Sequence, residues 1–123
     1  MAWYAAHAIF YFKLKSGVQD CFSIHEDVNL IEAANGDEAR QKAVAWANDT
    51  ADANNEGSTL RVNDEPAEMI FAGIRKIISV SHWDEEGQLR SKDEITYSEF
   101  QVADEESVLK LARGETVTID YLE

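Results

Sequence analysis

From residue 2 to residue 14 the chain reads AWYAAHAIFYFKL, apolar at nearly every position. Successive side chains of a strand point to opposite sides, so one side carries Tyr4, Ala6, Ala8, Phe10, Phe12 and Leu14. The other carries Trp3, Ala5, His7, Ile9 and Tyr11. A strand with one wet face alternates apolar with polar residues, and this one does not. Its second side therefore needs a cover: more of the same chain, a partner, or a ligand around His7.

Residues 21–31 resume in extended style with a clean alternation. Phe22, Ile24, Val28 and Leu30 are apolar, while Ser23, His25, Asp27 and Asn29 are polar. A three-residue loop at Lys15-Ser16-Gly17, with Gly17 left-handed, closes the two strands into a hairpin. That loop sets Leu14 opposite Val18, Phe10 opposite Phe22, Ala8 opposite Ile24 and Tyr4 opposite Val28. The two apolar even faces then coincide as a shared core. The same register puts His7 opposite His25, with Asp27 one same-face step further along.

A helix is predicted over residues 36–52. Asn35 suits its N-cap, and Glu38 three residues on completes a capping box. Ala39, Ala43, Trp46, Ala47 and Thr50 recur at three- and four-residue spacing, a narrow stripe that suits close packing on a sheet. Residues 49–58 are a polar loop, Arg61-Val62 pair briefly, and Pro66 marks a loop. Residues 69–83 form a second long extended run with a central place in the sheet. Asp84-Glu85-Glu86-Gly87 is a turn, and residues 94–102 are a further strand. Residues 105–113 form a short helix closed by Gly114, and residues 116–122 end the chain as a strand. The fold class is α+β: one domain over residues 1–123, with a mostly antiparallel sheet of about five strands. The Ala-rich helix packs on one face, with a short C-terminal helix nearby.

Composition narrows the functional classes. With 24 acidic and 11 basic residues the formal net charge is -13. Such a surface repels phosphate backbones and anionic lipids, which argues against direct nucleic-acid or membrane binding. It serves solubility, or it attracts a basic partner or imitates nucleic acid. Cys21 is the single cysteine, so no internal disulfide is available and a reducing, cytoplasmic setting is the natural one. The apolar opening lacks a basic start and is too short to span a bilayer.

Candidate chemistry is sparse. His7 and His25 with Asp27 form the one cluster with transition-metal character, although a third firmly placed ligand is missing. His82 beside Trp83 lies near a turn, away from that pair. The acidic turn at 84–87 lacks the alternate ligands and closing glutamate of a calcium loop. No nucleophile elbow and no Gly-rich phosphate loop occurs, so no cofactor is called for. Trp3, His7, Ile9 and Tyr11, with His25 opposite, make a candidate binding surface, since aromatic residues anchor interfaces. Core beneath the C-terminal helix is the competing account of the same residues.

Several stretches taken in order resemble the bacterial family catalogued as domain of unknown function 4288. They are Trp3-Tyr4-Ala5-Ala6, Ile31-Glu32-Ala33 leading into Asp37-Glu38-Ala39 and Lys42-Ala43, Phe71-Ala72-Gly73-Ile74, and Glu94-Ile95-Thr96-Tyr97. The resemblance spans roughly residues 3–100. It implies a small bacterial α+β fold and carries over no catalytic residue. The reading that follows is a non-enzymatic binding or regulatory protein of immunity or accessory type, acting through a protein partner. A homo-oligomer pairing through the odd face of the first strand, and a metal-dependent enzyme using His7 and His25, are the alternatives.

Overall fold

The computed structural model describes residues 1–80 and 88–122. The expected strand at the start is present as β1 (Ala2–Leu14), and β2 (Ile24–Ala33) follows it. Next come α1 (Gly36–Asn55), a 3₁₀ turn at Glu56–Ser58, β3 (Arg61–Val62) and β4 (Glu65–Ser79). Then come β5 (Phe100–Gln101), α2 (Glu105–Ala112) and β6 (Asp120–Tyr121). The main sheet is antiparallel with strand order β2-β1-β4-β3, and β5 and β6 pair as a separate two-stranded sheet. The α+β reading holds, with the strands divided between two sheets. Among the described residues no helix is long and apolar enough to cross a membrane.

The Ala-rich helix covers the even side of β1, as its stripe predicts. Ala39, Ala43, Ala47 and Ala51 are its buried residues, repeating every four positions. Methyl side chains let the helix approach the sheet closely, and larger groups from the strands fill the space between. Ala8, Phe10, Ala47, Ala51 and Met69 form the core, with Phe12, Trp46, Leu60, Phe71 and Ile74 packed around it. Phe10 is wholly buried and meets Trp46 edge-on at 6.1 Å. Asn35 caps α1 by accepting from the Glu38 amide at 2.9 Å, while the Glu38 carboxylate accepts from the Ala34 amide. The helix runs past Asp52 to Asn55 because the Asn55 side chain is held against the sheet. Its amide donates to the Met69 carbonyl and accepts from the Met69 N–H.

The hairpin register differs from the one expected. Phe10 pairs with His25, Ala8 with Asp27 and His7 with Val28, an odd shift that exchanges the faces of β2. The cause lies in the connection over residues 15–23. Gly17 is left-handed as expected (φ 92°), but the loop is not a tight one. The Gln19 side chain takes the place of a strand neighbour: its amide donates to the Phe12 carbonyl and accepts from the Leu14 N–H. β2 begins pairing only afterwards, so Ile24, Val28 and Leu30 lie on the side of the sheet away from α1. Facing His25 across the strands are Phe10 and Phe12, the latter ring at 5.1 Å.

Other expectations are corrected locally. Pro66 lies within β4, paired with Arg61 where β3 forms its brief ladder. The two strands are joined through Asn63 and Asp64, both at positive φ, the geometry of a tight hairpin turn. Of the strands expected at 94–102 and 116–122, the described residues form a ladder at Phe100–Gln101 with Asp120–Tyr121, extended by the Leu122 N–H donating to the Glu99 carbonyl, and Glu94 takes part in a single isolated bridge. The expected turn at 84–87, and His82 with Trp83, lie outside the described residues.

Candidate functional site

The second side of the sheet is held by a polar cluster built across three strands. Two irregularities in the β1–β4 ladder create it. The register shifts between His7 and Ala8 and again between Ile9 and Phe10, so Arg75 and Ala72 are extra residues on β4. An extra residue lets two consecutive side chains emerge on one side. Arg75 and Lys76 do so, next to His7, which pairs with Lys76.

His7 is 2% exposed. Its Nδ1 lies 2.9 Å from Glu26 Oε2, and its Nε2 lies 2.5 Å from the Thr96 hydroxyl. With the proton on Nδ1 the ring donates to Glu26 and accepts from Thr96, which satisfies both nitrogens. Arg75 Nε donates to the same Glu26 oxygen at 2.7 Å. Burial pushes the Glu26 carboxyl up, but the hydrogen bonds from Arg75 and His7, with the charge of Arg75, outweigh it and hold the group below its ordinary value. Lys76 Nζ donates to the Tyr97 carbonyl and sits 5.0 Å from the Tyr97 ring. The Arg75 guanidinium lies 4.4 Å from the centre of the Tyr121 ring, which in turn meets Phe100 edge-on.

These contacts answer what covers the second face of β1. It is the extended segment around Thr96 and Tyr97, with the β5–β6 pair, rather than the C-terminal helix. None of the residues of α2 is buried, and its Asp104 cap and Lys110–Glu106 pair are exposed surface features. Val108 and Leu109 of α2 are half exposed.

The predicted site residues are distributed accordingly. His7 is buried in the cluster, and Trp3, Ile9 and Tyr11 are partly buried on its side of the sheet. His25 and Asp27 lie on the opposite side, with Phe10 and Ala8. The expected His7–His25 pair therefore does not exist, because the shifted register separates the rings by the sheet itself. Among the described residues no group of three histidine, cysteine or acidic side chains is placed to hold a metal. Tyr11 meets Phe22 edge-on at 5.8 Å and pairs with Ile24, so apolar residues line the His7 side of the sheet at Phe22, Ile24, Val28 and Leu30, interrupted by Glu26. Ile24 is 61% exposed, Val28 42% and Leu30 41%.

Glu26, Arg75, Lys76 and Thr96 are absent from the sequence-predicted set. Arg75-Lys76 did carry a signal, since adjacent cations in the middle of the apolar run IFAGIRKIIS require a bulge or a polar partner. A cleft of about 240 Å³ between the 15–23 connection and the β3–β4 turn is lined by Phe12, Gln19, Cys21 and Glu65 among others. Cys21 is exposed there. Compared with protein-family models, curated proteins and solved structures, the chain matches none.

Proposed function

We propose that this is a non-enzymatic binding protein, of regulatory or accessory type, that engages a protein partner from the side of the sheet opposite α1. The observation that carries this reading is the unequal distribution of exposed apolar residues. The helix side buries its alanines and Phe10, whereas Phe22, Ile24, Val28 and Leu30 stand in one exposed row on the other side. Exposed apolar residues gathered on one side, here in two pairs flanking Glu26, mark interaction surfaces more often than scattered single ones do. The net charge of -13 supports a basic partner, because it raises the rate at which such a partner is captured.

The reading is tested by isolating the protein from its native cells at low and at high salt, as wild type and as Ile24→Lys. A stoichiometric partner that is lost both in salt and in the variant is expected. A chain that elutes alone and monomeric under both conditions, after gentle cross-linking, contradicts it. Self-association through the odd face of β1 has less to work with, since the segment around Thr96 and Tyr97 occupies the middle of that face.

A second reading rests on one observation. Thr96, His7 and Glu26 are bonded in the order of a nucleophile, a base and an orienting carboxylate. Against it, the ring is buried and Arg75 shares the Glu26 oxygen that orients it. Hydrolysis of an activated ester that disappears in Thr96→Val would favour this reading, and a rate equal to buffer would end it.

A further inference from the structure

We infer that the outer edge of β2 is a docking edge that takes an extended, basic segment of a partner protein as an additional strand of the main sheet. This rests on the binding-protein reading above and specifies how the partner is held.

The ladder itself shows which backbone groups are open. The Phe12 N–H donates to the Ser23 carbonyl, so the odd-numbered residues of β2 are the ones that bond to β1. The N–H and C=O groups of Ile24, Glu26, Val28, Leu30 and Glu32 therefore point away from β1. Consistent with this phase, Lys42 reaches the Glu32 carbonyl from α1 at 2.9 Å. Among the described residues β1 is the only strand paired with β2, and Lys42 is the one side chain bonded at its outer edge.

The opposite edge of the sheet is treated differently. There β3 pairs with Glu65 and Pro66, and the Asn55 amide bonds both backbone groups of Met69. Arg40 reaches the Ile74 carbonyl. Proteins shield exposed edges in this way because an open one recruits other strands. β2, at 10 residues, is long enough to pair with a full strand and contains no proline, glycine or lysine.

Side chains on the open edge indicate the occupant. The residues whose backbone groups point outward also carry the exposed row Ile24, Val28 and Leu30, so an added strand would bring alternate apolar side chains beside them. β2 holds Glu26, Asp27 and Glu32 and no lysine or arginine. A second copy of this chain fits poorly. With Asn29 on a two-fold axis, Glu26 of one copy opposes Glu32 of the other, and two chains of charge -13 are brought together. Apolar residues at alternate positions of the incoming strand meet the row. Lysine or arginine between them emerges on the other side of the sheet, where Asp27 lies, and answers the net charge of -13.

The probe is a capped peptide of about eight residues alternating lysine with valine, the length of an ordinary strand. Controls are the same peptide with glutamate for lysine, and with alternate amides N-methylated. Amide exchange of the full chain is followed by NMR at peptide concentrations up to the millimolar range. The proposal expects exchange at Ile24, Glu26, Val28 and Leu30 to slow by about tenfold or more with the basic peptide and with neither control. Val28→Pro removes an outward N–H and no bond to β1, and Leu30→Lys leaves the backbone intact while opposing the peptide's charge. Each is expected to weaken binding about tenfold.

The proposal is overturned by a peptide that slows none of these amides, or by variants that bind as wild type does. It is also overturned by even-numbered amides that become protected with protein concentration alone, which would make a second copy the occupant. A native partner whose footprint falls on α2 and Tyr121 instead would remove the edge proposal and leave the binding-protein reading standing. A chain for which no native partner exists would remove that reading itself.

Discussion

The two sides of the main sheet are closed by opposite means. Towards α1 the closure is dry and made of shape: a row of alanines, Phe10 and Met69, with no charged group among them. Away from α1 it is made of charge and hydrogen bonds, with His7, Glu26, Arg75 and Lys76 holding down a segment that arrives from the far end of the chain. A helix packed by volume excludes water along its whole length. An extended segment pinned at a few polar points covers only what it touches, and it leaves the row on β2 uncovered. The difference explains why one molecule has a sealed face and an open one.

Substitutions can break this contrast in order of expected effect. Phe10→Ala empties the centre of the dry side and is expected to cost about 3–5 kcal/mol, read as a lower urea midpoint with an unchanged slope. Glu26→Gln acts on the polar side. It leaves His7 and Arg75 without their shared carboxylate and is expected to cost about 2–3 kcal/mol, between an exposed pair and a fully buried one.

Acid tests the same group. A carboxyl held below its ordinary value stabilises the fold fully above that value, and the contribution is lost as pH falls through the lowered one. Stability of the wild type should thus decline below pH 4.5, the ordinary glutamate value, more than that of Glu26→Gln. Equal declines would mean that Glu26 is not specifically paired.

Thr96→Val removes one hydrogen bond to a buried ring and is expected to cost about 1–2 kcal/mol. Its diagnostic effect is local: proteolysis and amide exchange should quicken over residues 94–101 and β6 before they change in β1. A uniform loss of protection would show that the two closures are one cooperative unit. Leu30→Thr, on the exposed row, should stay within about 0.5 kcal/mol of wild type by thermal unfolding. A larger loss would mean that the row is packed rather than open.

How much of this was legible follows from how far apart the determinants lie. β1 and the start of α1 are encoded within a few residues each, by an apolar run and by Asn35 with Glu38, and both appear where expected. The pairing of β2 depends on one glutamine in a connection, because Gln19 substitutes its amide for a strand neighbour and delays the ladder. Alternation revealed that β2 has one apolar side and could not reveal which side of the sheet receives it. The polar cluster was still less accessible, since Thr96 meets His7 across 89 positions. Arg75-Lys76 was the one local trace of it, two cations with no polar neighbours in sequence.

The claim on which the rest depends is that β2 bonds to β1 through its odd residues and leaves the even ones facing solvent. Amide exchange of the free protein, residue by residue along Ile24–Ala33, tests it without any partner. The account predicts a two-residue period, with His25, Asp27, Asn29 and Ile31 protected and Ile24, Glu26, Val28 and Leu30 exchanging rapidly. Uniform protection would mean that the edge is already covered, and the inverse period would restore the register in which His7 faces His25.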